Sequence, residues 1–198
     1  RRKTRRQGLE LRLQQGFDKL SLRAAYSYID ATYQTSFTEN SPNNSSANAA
    51  GDIQVNPGDR IPGIPRHNFK VRADYAFKPT LSAGMNVVYA SSQFARGDEN
   101  NKDANGAVPG YMVVNLDGRW NVTDQLQFFA MVTNLFNRNY ETFGILGENF
   151  FRGPGFTYDA AAAGPEQFRS PGAPRGIWVG IRYEFDKKGA ARPATDEN

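Results

Sequence analysis

Cysteine is absent, histidine occurs once, and no stretch approaches the roughly 18 consecutive apolar residues of a membrane-spanning helix. Without cysteine there is no disulfide scaffold, no thiolate metal site and no cysteine nucleophile. With His67 as the single imidazole, a transition-metal site built by this chain alone lacks donors, and a structural or headgroup-level role is the reading for that residue. No serine is accompanied by a histidine and aspartate in triad arrangement, no carboxylate pair sits in a recognisable apolar setting, and Gly144 and Gly147 do not lead from a strand into a helix. An enzyme is therefore not expected, and neither a metal nor a cofactor is called for. Aliphatics are sparse as well: 39% of residues are hydrophobic and mean hydropathy is −0.63, too little for a thick soluble core.

Aromatics, at 13%, are plentiful by contrast, and so is strict alternation. In "IWVGIRYEF", Ile177, Val179, Ile181, Tyr183 and Phe185 fall on one side, and Trp178, Gly180, Arg182 and Glu184 on the other. That is the period of a strand with one apolar face. Six earlier segments behave alike. They begin with Leu9, Leu11 and Leu13 against Glu10, Arg12 and Gln14, and with Leu20, Leu22, Ala24, Tyr26 and Tyr28. The third sets Phe69, Val71, Ala73, Tyr75 and Phe77 against Lys70, Arg72, Asp74, Ala76 and Lys78. Segments at residues 81–89, 112–120 and 126–133 complete the set. Short turns ("QGFDK", "KPT", "VTDQ") alternate with long polar stretches at about residues 34–63, 91–109 and 139–173.

A soluble β-sandwich does not sort its connections into short and long in this way, whereas an outer-membrane barrel does: short periplasmic turns, long extracellular loops, and strands with one lipid face and one polar face. The chain is thus expected to be all-β, an antiparallel transmembrane β-barrel segment of about seven strands. The apolar faces would meet lipid. Tyr75, Phe77, Trp120, Tyr183 and Phe185 would form a periplasmic aromatic girdle, and Tyr28, Tyr89 and Tyr140 an outer one. Glu10, Arg12, Arg23, Lys70, Arg72, Asp74, Asp117, Arg119, Arg182 and Glu184 would face a wide polar lumen. An odd strand count implies a part of a larger barrel. The basic start "RRKTRR" has no nucleic-acid-binding motif behind it, and reads as a solvated strand end or a contact to anionic lipid headgroups. Asp98, Glu99 and Asp103 read as a solvated loop cluster, because the ligand spacing of a calcium loop is missing.

Four strings, "RRQGLELRL" (Arg5 to Leu13), "IPGIPRHNFKVRADY" (Ile61 to Tyr75), "VTNLFNRNYETFG" (Val132 to Gly144) and "SPGAPRGIWVGIRYEF" (Ser170 to Phe185), resemble the C-terminal barrel region of TonB-dependent outer-membrane receptors. The resemblance implies a twenty-two-stranded barrel around a plug, integral to the bacterial outer membrane. It also implies active import of a scarce nutrient, a ferric siderophore being favoured. Residues 1–185 would be the C-terminal portion of that barrel and 186–198 a polar periplasmic tail. Implied partners are the N-terminal barrel and plug, the TonB complex through that missing part, lipid and lipopolysaccharide, and a small-molecule ligand, with no nucleic acid.

In the family, an aromatic last strand such as Ile177, Val179, Ile181, Tyr183 and Phe185 is the assembly signal. Here thirteen residues follow Phe185, a departure from the pattern. Candidate ligand contacts, chosen because aromatic and arginine side chains suit planar anionic iron chelates, are Arg5, Arg6, Tyr140, Phe143, Phe150, Phe151, Arg152 and Phe156. The alternative reading is a passive porin or small self-standing barrel. It requires an eighth strand, for which "ENFFRGPGFTYD" is the only candidate.

Overall fold

The computed structural model describes residues 2–185, and the tail 186–198 lies outside the described residues. All seven alternating segments form strands: β1 (Thr4–Gly16), β2 (Leu20–Tyr33), β5 (His67–Lys78), β6 (Leu81–Ala90), β7 (Tyr111–Asn121), β8 (Leu126–Thr133) and β11 (Gly176–Tyr183). They make one antiparallel sheet in the order β1-β2-β5-β6-β7-β8-β11. Each strand lies beside its predecessor in that series, which is an up-and-down meander. The edges β1 and β11 do not pair with each other among the described residues, so the sheet is an open wall.

The register turns each strand's alternation into two continuous faces. Leu9 opposes Tyr28, and Tyr28 opposes His67; Ala24 opposes Val71, which opposes Val87, which opposes Val114. On the far side Val132 opposes Ile177, and Phe128 opposes Ile181. This outward face is apolar from edge to edge and uncovered. Leu9, Leu11, Leu13, Met85, Met112, Val179 and Ile181 are all exposed. A side-chain period of two means that a one-residue slip would send every charge to the apolar side, which is why the register is so strongly specified.

The two ends of the sheet differ. At one end the connections are two to four residues long, as in Pro79-Thr80 between β5 and β6. Exposed aromatics cluster there on the outward face: Tyr75 on Phe77, Trp120 by Phe128, and Tyr183 on Phe185. At the other end the three long connections contain structure that alternation alone did not show. Residues 34–66 hold the hairpin of β3 (Phe37–Asn40) and β4 (Asp52–Val55), and residues 134–175 hold that of β9 (Glu141–Asn149) and β10 (Gly164–Pro171). Most of "ENFFRGPGFTYD" is therefore the irregular tip of the second hairpin, with a 3-10 turn at Pro154–Phe156, and not an eighth strand of the wall.

Sequence places tight turns where backbone strain demands them. Asn134 and Asn137, in the "TNLFNRN" turn, both adopt positive φ (48° each), a conformation asparagine tolerates. Asn134 is buried. Its amide nitrogen donates to the carbonyls of Arg138 (2.9 Å) and Ala173 (3.0 Å), and its oxygen accepts from the Arg138 N–H (2.9 Å). One side chain thus ties the exit of β8 to the entry of β11.

Candidate ligand-binding mouth and lumen wall

The packed interior of this chain lies mainly in the long connections. Ala95, Val108 and Leu146 form a buried cluster, and Ile53 and Val55 of β4 are fully buried. Backbone pairing reinforces it: Gln93 pairs with Val108, and Arg96 pairs with Ile145 of β9. The Gln93 amide donates to the Thr142 carbonyl (2.8 Å) and the Gln167 amide to the Gly106 carbonyl (2.9 Å). The second connection (residues 91–110) is thus clamped between the first and the third.

Its acidic residues are the centre of that clamp. Asp98 has no exposed surface, and Asn100 and Asp103 are buried as well, so the expected solvated cluster is corrected to a buried polar staple. Asp98 Oδ1 accepts from the N–H groups of Lys102 (2.8 Å) and Asp103 (2.9 Å) and from Asn44 Nδ2 (3.2 Å). The Gly97 carbonyl accepts from Ser41 Oγ (2.7 Å) and Asn44 Nδ2 (2.9 Å), and Asp103 Oδ2 accepts from the Ser45 N–H (2.9 Å). Burial pushes the Asp98 carboxyl above the usual carboxylate range against these donors, and the charge of Asp103 pushes the same way. At Asp103 burial also pushes upward, but the N–H of Ser45 and the donors of Asn105 outweigh it and hold the carboxyl low.

Below the connections, the inward face carries the expected charges. Arg72 pairs with Asp74 and Asp117, with one Nη2–Oδ1 distance to Asp117 of 2.9 Å, and Arg23 Nη2 donates to Asp74 at 2.8 Å. Gly84 stands opposite both aspartates. A Cβ there would overlap the Arg72 guanidinium, so glycine is what lets the arginine lie flat across the wall. Gly84→Val is expected to displace Arg72 and cost about 1–3 kcal/mol. Because both changes disturb one contact, the cost should be strongly non-additive with Arg72→Gln in a double-mutant cycle read by urea unfolding.

At the mouth, the inward residues of β1 and β2 meet the β3 hairpin. The Arg2 guanidinium lies 4.4 Å from the Phe37 ring centroid and pairs with Glu39 at 2.7 Å, and Tyr33 meets Phe37 edge-on at 5.1 Å. Arg6 lies on this inward side of β1, two residues from Thr4, whose hydroxyl it reaches at 3.4 Å. Of these only Arg6 was singled out from sequence; Arg2, Tyr33 and Phe37 were not, because the hairpin that assembles them has no alternating apolar face.

Arg5 belongs to the opposite face, where it lies 3.8 Å from Asp30, so it does not join Arg6. Tyr140 packs at a tilt against Tyr111, ring centroids 4.8 Å apart, on the side away from Met112, and is not part of the outer girdle with Tyr28 and Tyr89. Phe143 sits under Arg96 at 6.0 Å. The remaining candidates gather at the β9–β10 tip: Phe150 stacks on Tyr158, Phe151 meets Tyr158 edge-on, and Arg152 donates to the Pro165 carbonyl at 2.6 Å. Phe156 is 86% exposed and held at positive φ. The eight candidates thus fall into separate groups. The β9–β10 hairpin rises between β8 and β11, at the far end of the sheet from Arg5 and Arg6 on β1.

An antiparallel meander with an uncovered apolar outer face, a salt-bridged inner face, short turns at one end and interlocked long connections at the other defines a segment of a β-barrel wall. A family model described as "TonB dependent receptor-like, beta-barrel" matches residues 2–135, and the chain belongs to that family. Among solved structures it is similar to the siderophore receptor PiuA of Acinetobacter baumannii (TM-score 0.66, 17% identity, 91% of this chain and 22% of that one). It is likewise similar to the ferric-catecholate import receptor Fiu of E. coli K12 (0.61, 20%, 92% and 21%). The ferripyoverdine receptor of the outer membrane of Pseudomonas aeruginosa also matches (0.57, 17%, 92% and 20%). The chain spans about a fifth of the length of these structures. No curated protein matches by sequence.

Proposed function

We propose that this chain is the C-terminal wall of an outer-membrane receptor that captures a ferric siderophore at its mouth and imports it with energy supplied through TonB. The observation that carries the reading is the inward cluster of Arg2, Arg6, Tyr33 and Phe37 beneath the clamped connections. Guanidinium groups beside aromatic rings offer charge and stacking to a planar, anionic chelate. PiuA is a siderophore receptor, Fiu a ferric-catecholate import receptor and the Pseudomonas protein a ferripyoverdine receptor, which favours the same cargo class. No covalent step is involved; the wall supplies binding surface, and transport belongs to parts of the receptor beyond this chain.

The test is a panel of ferric chelates titrated against the purified intact receptor by tryptophan-fluorescence quenching. Arg2→Ala and Phe37→Ala are each expected to weaken binding of the recognised chelate about tenfold, the equivalent of about 1.4 kcal/mol. Uptake of that chelate should stop when TonB is absent. Uptake that persists without TonB would establish the passive-pore reading instead, and equal affinity in both variants would remove this cluster from the site.

A further inference from the structure

The second connection carries the sequence's single Asn-Gly pair, Asn105-Gly106, which neither nutrient binding nor the wall uses. Gly106 sits at positive φ (68°), and a Cβ built there would meet nothing within 4 Å, so backbone conformation and not packing calls for glycine. Asn105 is exposed. Its backbone N–H and its Nδ2 both donate to Asp103 Oδ1, at 3.0 and 2.9 Å, and the Gly106 N–H donates to the Asp103 carbonyl at 2.9 Å. On one side of this turn Asp103 Oδ2 accepts from the Ser45 N–H of the first connection; on the other, the Gly106 carbonyl accepts from the Gln167 amide of β10 at 2.9 Å. All three long connections therefore meet at the turn from Asp103 to Gly106.

An asparagine followed by glycine carries its own nucleophile, because no side chain at the second residue shields the backbone nitrogen. Once the Gly106 amide gives its proton to base, its nitrogen attacks the Asn105 side-chain carbonyl. An N–Cγ bond forms, the Cγ–Nδ2 bond breaks, and Nδ2 leaves as ammonia with a proton from water. Water then opens the five-membered imide at either carbonyl, giving aspartate or an iso-aspartyl link whose main chain runs through the side chain. No oxidant or reductant enters. In the docked loops both reacting groups are engaged: the attacking N–H is given to the Asp103 carbonyl, and the departing Nδ2 is held on Asp103 Oδ1. Cyclisation therefore belongs to the opened loops.

We infer that Asn105-Gly106 is a self-modification site gated by the clamp: docking protects it, and conversion holds the connections apart. An aspartate at 105 has no Nδ2 to give and sets a second carboxylate against Asp103 Oδ1. At Asp103 burial is outweighed by the donors of Ser45 and Asn105, which hold its carboxyl low, so the newcomer meets a like charge in a partly desolvated place. An iso-aspartyl link lengthens the main chain just before Gly106 and moves its carbonyl off the Gln167 amide. Either product loosens the second connection from a neighbour, and neither reverts on its own.

The experiment incubates the intact receptor in detergent at mildly alkaline pH, beside a synthetic peptide of residues 103–119 as the undocked reference. Trypsin, cutting after Lys102 and Arg119, releases the same peptide from the receptor, and tandem mass spectrometry counts conversion at Asn105 apart from Asn115. Wild type is expected to convert at least about tenfold more slowly than the peptide, and Asp98→Ala at least about tenfold faster than wild type, since the fraction of opened loops sets the rate. Wild-type conversion as fast as the peptide's, or equal conversion in wild type and Asp98→Ala, would overturn the gate. A peptide that keeps its amide at Asn105 would overturn the site. The consequence is read on Asn105→Asp, the product itself: hydrogen exchange at the Ser45 amide should accelerate at least about tenfold, while Asn105→Gln, which keeps an amide, stays within about a few-fold of wild type. Exchange in Asn105→Asp as slow as in wild type would show that conversion leaves the clamp closed and overturn that half of the inference. None of these readouts involves cargo or TonB, so their failure leaves the transport reading standing.

Discussion

Val87→Arg is expected to destabilise the intact barrel by about 2–4 kcal/mol. Val87 stands between Val71 and Val114 on the apolar face, one outward row below Tyr89 and above Met85. A guanidinium there has no carboxylate in reach and must be solvated by distorting the lipid around it. Ser27→Arg places the same group on the inward side opposite Glu10, and is expected to change stability by no more than about 0.5 kcal/mol. Urea unfolding in lipid vesicles, followed by heat-modifiable migration, reads both. Met85→Ala then separates lipid from a covering protein layer. Under a second sheet the lost side chain would leave a cavity costing about 2–5 kcal/mol, whereas lipid chains close over the gap and the cost stays well below that. A large loss with Met85→Ala, or a larger loss with Ser27→Arg than with Val87→Arg, would mean that the faces have been assigned the wrong way round.

The wall was legible in the sequence because its physics is local. Each strand announces its own faces through alternation, and the sorting of short and long connections orders the strands as a meander; all seven were placed, with the charges of Arg23, Arg72, Asp74 and Asp117 correctly inward. The mouth was not legible, for a reason visible in two hairpins. β3 and β4 are four residues each and owe their place to contacts with distant segments, such as Ser41 and Asn44 on Gly97. Nothing in "FTEN" or "DIQV" signals those partners. β9 carries Gly144 and Gly147, and Gly144 is required because a Cβ would strike Val108. In a one-dimensional reading such glycines look like loop composition. Parity could have separated Arg5 from Arg6, since consecutive residues of a strand point to opposite faces; type and proximity to one another grouped them instead. Ligand identity is not local either, since contacts to a cargo would come from long connections that the alternation of the wall does not encode.

Asp98→Ala is expected to release the clamp between the long connections. Its carboxylate is the common acceptor for Lys102 N–H, Asp103 N–H and Asn44 Nδ2, and each buried donor left unmet costs about 1–3 kcal/mol until water reaches it. The loss should be confined to the long connections, because no strand of the wall contributes to the staple. Hydrogen exchange at the Lys102 and Asp103 amides should accelerate at least about tenfold while the amides of β6 and β7 stay as they were. Asp98→Asn keeps an acceptor in place without the charge, and pH then distinguishes it from wild type. An acid whose pKa is higher in the docked loops than in the opened ones binds its proton more tightly when docked. That contribution is complete below the ordinary value, near pH 4, and is lost as pH rises through the raised one. Asp103 has the opposite sign: held low, it contributes above the ordinary value and fails as pH falls through its lowered one. Just above pH 4 the docked loops should therefore be better protected than at neutral pH in wild type, after correction for intrinsic exchange. In Asp98→Asn the protection should be nearly level across the same range, and in Asp98→Ala it should be low throughout. Wild-type protection in the alanine variant would show that the first and second connections are held by apolar packing of Ile53, Val55, Ala95 and Val108 alone, with the buried carboxylate contributing nothing to the mouth.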